Sequence, residues 1–377
     1  MPTLISVFGV EPFRIGGTET FARELSRQLA ERGWNSVLCF DTAPTREVAQ
    51  FLAMPNVHVE VLGNTTQGSS AKQIRAVLRK HRPEILHLHF TGFISVLPWL
   101  ARAYGVKKVF FTDHSSRSAD HVAKRAPLWK RLLVRIINFP LTKVICVSRY
   151  GCQCMTTLDL LENARYELVY NGVDLSRVDA DASRGANFRR RFGIAEDKRV
   201  VAQISWIIPE KGILDLLEVA KLVRDQMGDA HFIIVGEGPY RAEYARKAES
   251  MGLTDSVTWT GLIGDPFGEG VYDAADVVCQ LSRWQELFGW MIAEAMSFEK
   301  PIVATRVGGI PELVSDAETG YLVERGDITT ASNKLLSLLR DSELRTRMGK
   351  KGSRVVHSRF DLKTNVTQLL DVYGIIK

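Results

Sequence analysis

The sequence predicts an α/β protein built from two doubly wound parallel sheets. Short apolar runs rich in β-forming residues alternate with longer stretches of helical period, the pattern of parallel strands joined by crossover helices. The length of 377 residues, at roughly 150 residues per domain, supplies two cores. One polar stretch at 171–186, rich in Gly, Asp and Ser and without clear period, interrupts the alternation and marks the boundary.

The elements follow in order. The run 4–10 leads through Gly16-Gly17 into a helix over 18–32, where Phe21, Leu25 and Leu29 form one apolar stripe closed by Gly33. Further strand-like runs lie at 37–40, 57–62, 85–89, 108–112, 144–148 and 168–170. Beyond the boundary they recur at 200–205, 231–235, 257–260, 277–279, 301–304 and 321–323. Helices are expected over 212–227, 239–251, 289–298, 330–340 and 342–357. The last residues, 361–377, look helical, and their pattern leaves open which domain they join. The domains are therefore read as 1–171, with the terminal helix a candidate to pack back on it, and 172–360.

Composition narrows the class. With 45% hydrophobic and 24% charged residues the chain reads as an ordinary globular protein rather than a disordered one. No run approaches the ~20 apolar residues of a membrane span, and the most apolar stretch, 90–100, contains Pro98. The N-terminus enters a strand-like run with no basic region before it, so no signal peptide is expected. Five cysteines, Cys39, Cys146, Cys152, Cys154 and Cys279, argue against a disulfide scaffold and for a cytoplasmic setting. Charge is uneven. Residues 1–180 carry 23 Lys+Arg against 15 Asp+Glu, and residues 181–377 carry 26 against 28. A basic first half suits an anionic partner or a solvated basic face.

Ligands of doubly wound folds sit at the carboxyl ends of the strands. Gly16-Gly17 lies there and opens a helix, where a ligand approaches the backbone closely and an anion is favoured. His114 follows the 108–112 strand. His87 and His89 alternate on a strand, have no third ligand near in sequence, and read as core or cleft residues rather than a metal site. In the second half Pro209-Glu210-Lys211-Gly212 opens a helix, where Lys211 could reach a phosphate or simply begin a capped helix. Gly236-Glu237-Gly238-Pro239 repeats the strand, glycine turn, helix pattern, and neither a P-loop nor a dinucleotide fingerprint is present.

The segment 282–296 is the most informative. Glu286 and Glu294 stand eight apart, on either side of a break at Gly289. Glu286 falls in the loop before a helix, and the amides of Gly289, Trp290 and Met291 are its first donors, suited to a diphosphate. The helix is otherwise apolar, so Glu294 reads as an acid buried for a reason.

The span Glu286 to Glu294 resembles the E-x7-E motif of the retaining glycosyltransferases of family 4. The resemblance extends to Gly16-Gly17, His114, the stretch 169–174, Pro209 to Gly212, Gly236 to Pro239 and the stretch 304–312. It implies the GT-B fold, two Rossmann-like domains with an interdomain cleft. The first domain would serve the acceptor and the second a nucleotide sugar, with closure over the donor excluding water.

The resemblance also implies roles. Gly16 and Gly17 amides lie against donor phosphate and sugar, His114 bonds a sugar hydroxyl, and Lys211 pairs with the diphosphate. Trp290 and Met291 amides hold phosphate oxygens, with Phe288 and Gly289 beside them. Glu294 holds the ribose and Glu286 contacts the transferred sugar. Gly236, and backbone near Gly261, Leu262 and Ile263, would meet the nucleotide. In this family an Arg usually stands before the Pro-Glu-Lys-Gly turn, where this sequence has Trp206. Losing it removes bidentate charge-assisted bonds to the diphosphate, and Arg283 or Arg14 are candidate substitutes.

The expected reaction moves a sugar from a nucleoside-diphosphate sugar, with UDP favoured, to a hydroxyl of a glycan, a lipid-linked or a small-molecule acceptor, retaining anomeric configuration. Neither cofactor nor metal is expected: Asp179-Ala180-Asp181 has the letters of a metal site but lies in the boundary stretch, and Lys211 with helix dipoles can balance the leaving diphosphate. The rival readings are a nucleotide-sugar epimerase of the same architecture and a non-catalytic sugar-nucleotide-binding protein. Nucleic-acid binding has no supporting motif. Finally, 124–137 is basic and amphipathic. It could lie peripherally on the inner face of an anionic membrane, but the plainer expectation is a helix packing its Leu, Ile and Val side into the domain.

Overall fold

The computed structural model describes residues 1–63 and 71–376 and divides into two compact units. The first comprises Met1–Ser115, Val122–Asn171 and the chain from Leu362 on; the second comprises Ser116–His121 and Gly172–Asp361.

The first unit holds seven strands: β1 Thr3–Phe8, β2 Asn35–Phe40, β3 Val57–Val61, β4 Ile85–His89, β5 Lys108–Asp113, β6 Lys143–Cys146 and β7 Tyr166–Leu168. They are parallel, in the order β3-β2-β1-β4-β5-β6-β7. The inner strands are buried on both faces because helices cover both sides; β1 is buried along its whole length. The strand order reverses between β1 and β4, which makes the carboxyl ends of these two strands the natural ligand crevice of this unit.

The terminal helix Leu362–Tyr373 completes this core. Val366, Leu369, Leu370 and Tyr373 pack with Leu4, Leu25, Leu29 and Phe110. Lys108 Nζ donates to the Tyr373 carbonyl at 2.6 Å, and Gln28 Nε2 to that of Lys363 at 2.8 Å. The helical pattern was legible in the sequence; its packing partner was not.

The second unit holds six parallel strands: β8 Arg199–Ile204, β9 Ala230–Val235, β10 Val257–Gly261, β11 Val277–Gln280, β12 Ile302–Thr305 and β13 Gly320–Val323. Their order is β10-β9-β8-β11-β12-β13, with the reversal between β8 and β11. The helices Ile213–Gln226 and Ile328–Arg340 close one face of this sheet with Leu216, Leu217, Leu335 and Leu339, all buried.

Three expectations need correction. The stretch 171–186, read as aperiodic, contains the start of a helix, Ala182–Arg191. Asp181 caps it, accepting from the Ser183 amide at 2.8 Å, so this Asp of the D-x-D letters is a helix cap. Gly185 lets the helix touch the backbone of Asp273, which a Cβ would approach to 2.8 Å. Second, residues 116–121 belong with the second unit, although the first unit surrounds them in sequence. Third, the helix Leu128–Ile137 does not pack its Leu and Ile side inward: Val134 is its one fully buried side chain, while Trp129, Leu132, Leu133 and Ile136 are exposed. Amphipathic spacing shows that a helix has an apolar face, not which way that face points.

Candidate active site

In the second unit the chemistry gathers at the switch point. After β8 the chain passes Ser205 and the half-exposed Trp206 and makes a short 3-10 turn, Pro209–Lys211. Gly212 then caps the following helix with a left-handed φ of 68°. A Cβ there would stand 1.8 Å from the Leu281 carbonyl oxygen, so only glycine permits this approach. The close crossing sets Lys211 beside the chain leaving β11.

Lys211 Nζ lies 2.6 Å from Glu286 Oε1 and 4.9 Å from the centre of the Trp284 ring. The same carboxylate oxygen accepts from Ser282 Oγ at 2.6 Å, Trp284 Nε1 at 2.9 Å and Gln280 Nε2 at 3.1 Å. Ser116 Oγ reaches Oε2 at 3.4 Å. Burial alone would raise the Glu286 carboxyl; the Lys211 charge and these hydrogen bonds outweigh it and hold the group below the usual carboxylate range. Glu286 is therefore a buried, ionised carboxylate with fixed orientation.

The backbone at Glu286 is clamped on two sides. The Gly309 amide donates to the Glu286 carbonyl at 2.7 Å, and a Cβ on Gly308 would meet that oxygen at 2.0 Å. Residue 117 pairs with 285 in an antiparallel bridge, and Gln285 Nε2 bonds the Ala119 carbonyl at 3.1 Å. Sequence reasoning missed Gln280, Ser282, Trp284 and Ser116. The available signal was the polar pair Gln280 and Ser282 at the end of an otherwise apolar buried strand.

Gly289, with φ of 100°, caps the eight-residue helix Trp290–Ser297, and no side chain caps it. Glu294 is half-buried rather than enclosed, and the buried Tyr272 hydroxyl hydrogen-bonds its Oε2. Partial exposure sets it apart from its helix neighbours Met291 to Ala293 and Ala295 to Ser297, which are buried. Phe288 and Met291 are buried beside the cap.

The neighbouring strand ends meet by glycine contact. Gly236 would place a Cβ 2.0 Å from the Ser205 carbonyl oxygen, and its amide donates to the Gly261 carbonyl at 2.9 Å. Of the residues expected near the base, Leu262 is exposed and Ile263 buried. Arg283, a candidate for the missing arginine, is held by two hydrogen bonds to the buried Asp215, from Nε at 2.9 Å and a terminal nitrogen at 2.5 Å.

In the first unit Gly16 caps the helix Gly17–Ala30, and its amide donates to Glu19 Oε2 at 3.0 Å. A side chain of this protein thus meets the first of the donors that the sequence offered to a phosphate. Burial pushes the Glu19 carboxyl up, against its backbone hydrogen bonds and the Arg14 charge. His114 follows β5, with its ring stacked on Phe90 at 4.2 Å between centres and its Nε2 3.2 Å from His89 Nδ1. Desolvation lowers the His114 pKa to about 3, so the imidazole is neutral in ordinary buffers. His87 bonds Thr112 Oγ1 at 2.7 Å and the Tyr373 hydroxyl, and it is a core residue. Among the described residues no group of three or more His, Cys, Asp or Glu could hold a metal ion.

Two parallel doubly wound units define a GT-B architecture, and Lys211 and Glu286 meet at the switch point of the second. Residues 15–177 match the family described as Glycosyltransferase Family 4, and residues 186–355 match Glycosyl transferases group 1. The chain belongs to the family 4 glycosyltransferases. It is 27% identical, over 95% of its length and 94% of the relative's, to N-acetyl-alpha-D-glucosaminyl L-malate synthase of Bacillus anthracis. It is 28% identical, over 96% and 95%, to a GDP-mannose-dependent alpha-(1-6)-phosphatidylinositol monomannoside mannosyltransferase of Mycobacterium tuberculosis. Among solved structures, Anabaena Alr3699/HepE in complex with UDP superposes with a TM-score of 0.78 at 19% identity, covering all of both chains. A Rickettsia africae glycosyltransferase superposes at 0.81 and 19%, covering 100% and 99%. No helix among the described residues is long and apolar enough to cross a membrane.

Proposed function

We propose that the protein transfers a sugar from a nucleoside-diphosphate sugar, with UDP the favoured nucleotide, to an acceptor hydroxyl, with retention of anomeric configuration and without a metal ion. The observation that carries this reading is the Lys211–Glu286 pair at 2.6 Å, beside a helix start that no side chain caps. As the sugar's anomeric C–O bond to the diphosphate breaks, negative charge grows on the phosphate oxygens and positive charge on the sugar. The Lys211 cation and the first amides of the helix Trp290–Ser297 stabilise the first; the ionised Glu286 faces the second. Glu294, steadied by Tyr272, accepts hydrogen bonds from the ribose hydroxyls. The neutral His114 suits the role its resemblance implies, a hydrogen bond to a sugar hydroxyl. The acceptor oxygen forms the new bond on the face the diphosphate leaves, and its proton passes to a phosphate oxygen.

The nucleotide preference draws support from the UDP and UDP-glucose bound to the Anabaena neighbour, against relatives named as GDP-mannose-dependent. Relatives act on L-malate and on phosphatidylinositol mannoside, so their names favour a hydroxyl acceptor without selecting one.

A thermal-shift panel of UDP-, GDP- and ADP-sugars tests donor binding. A ligand at about 100 times its Kd adds roughly 2.7 kcal/mol of stability. UDP release that requires an acceptor and survives EDTA supports the full reading. Activity lost to EDTA and restored by Mg²⁺ or Mn²⁺ overturns metal independence, and an inverted product overturns retention.

A further inference from the structure

The first unit presents an apolar surface that its own core does not use. On the helix Leu128–Ile137, Trp129, Leu132, Leu133 and Ile136 recur at i, i+3, i+4 and i+7, the spacing that normally faces a core. Here they are 67%, 52%, 47% and 65% exposed. The surface continues onto Phe139, 70% exposed, whose ring stacks on the half-exposed Trp99 with 6.2 Å between centres. Trp99 Nε1 donates to the Ile136 carbonyl at 3.2 Å, which ties the neighbouring helix Leu97–Ala103 to the end of this one. A contiguous exposed patch of this kind marks an interaction site.

Charge says what the partner is. The stretch 124–137 holds Lys124, Arg125, Lys130, Arg131 and Arg135 and no acidic residue. Arg125 and Arg135 reach one carboxylate, that of Asp159, at 2.8 and 3.1 Å, and Arg131 pairs with it too, so the cluster keeps a net positive charge. Lys124 and Lys130 are exposed. We propose that this face docks on an anionic lipid bilayer, with Trp129, Leu132, Leu133 and Ile136 entering the headgroup boundary and the flanking cations meeting lipid phosphates. An apolar face, two tryptophans at its edge and flanking basic residues are the composition of an interfacial helix. A second copy of the chain fits less well, because a two-fold contact would bring five cations against five. The proposal does not depend on glycosyl transfer, and its test reads binding alone.

The test is sedimentation of the full chain with vesicles of phosphatidylcholine alone or mixed with phosphatidylglycerol, at low and high salt. The expected result is binding to the mixed vesicles only, weakened by salt. Trp129→Ser/Ile136→Ser should weaken it about a hundredfold, since each buried large apolar side chain contributes about tenfold. Lys124→Gln/Lys130→Gln should weaken it about fivefold per residue. All four positions are solvent-exposed, so the melting temperature should stay unchanged and confirm the fold of both variants. No binding to anionic vesicles, binding unaffected by the apolar variant, or a dimer that the apolar variant dissociates without any vesicle binding would each overturn the proposal.

Discussion

Lys211 Nζ and Glu286 Oε1 stand 2.6 Å apart although 75 residues separate them in sequence. The pair exists because β8 and β11 are neighbours in the sheet and Gly212 lies against the Leu281 carbonyl. Both side chains are largely buried, so each charge depends on the other.

On the proposed reading, Lys211 carries the cationic part of diphosphate recognition in this unit, because Trp206 offers an indole N–H without charge and Arg283 is bound to Asp215. Lys211→Ala should lower kcat/KM about 10- to 150-fold, matching roughly 1.5–3 kcal/mol for a charge-assisted bond. Trp206→Arg should lower the donor Kd. Steady-state kinetics and calorimetry check both, and near-full activity of Lys211→Ala would refute the assignment.

Glu286 and Glu294 should separate kinetically. Glu286→Gln removes a charge that matters as the sugar ionises and should depress kcat, whereas Glu294→Ala should raise KM or donor Kd. Tyr272→Phe deletes the hydroxyl on Glu294 and should give a weaker version of the second effect, about fivefold. Equal effects on KM alone from both acidic variants would defeat the division.

Stability on the acid side should report the Glu286 pair. Its folded-state carboxyl lies below the ordinary value, so its contribution is complete above the unfolded pKa and is lost as pH falls through the folded one. Thermal melts between neutral and acid pH should therefore show a smaller acid loss for Glu286→Gln than for the native chain. An identical loss would show that the pair contributes nothing.

His114, with a pKa of about 3, stays neutral from mildly acidic to alkaline pH. The pH profile of kcat/KM should carry no limb near 6.5 from this residue, and His114→Asn should lower activity without changing the profile's shape. A histidine limb that disappears in the variant would contradict the neutral assignment.

Gly212→Ala should cost stability and activity together. The added methyl meets the Leu281 carbonyl at 1.8 Å in a left-handed conformation, so the chain must move at the point that places Lys211. A loss of about 1–3 kcal/mol is expected from overpacking and backbone strain. A variant with unchanged melting temperature and kinetics would show that the crossing is not needed.

The sequence alone determined most element types, because short apolar runs and a period of about 3.6 residues are local properties of the chain, although the start of the helix Ala182–Arg191 was not legible. The glycines at 212 and 236 and the acids at 286 and 294 were also readable, since turns and helix starts have local chemistry. Tertiary structure decided what those residues meet. Lys211 reached Glu286 only when β11 and the loop after it folded beside β8. The terminal helix acquired a partner only when β1, β4 and β5 formed the surface on which Leu369 and Tyr373 are buried. The apolar stripe of the helix Leu128–Ile137 had the spacing of a core face, and only packing showed Val134 turned inward and Ile136 outward. Periodicity fixes that a face exists; which surface it meets depends on contacts between residues far apart in sequence, which no local pattern encodes.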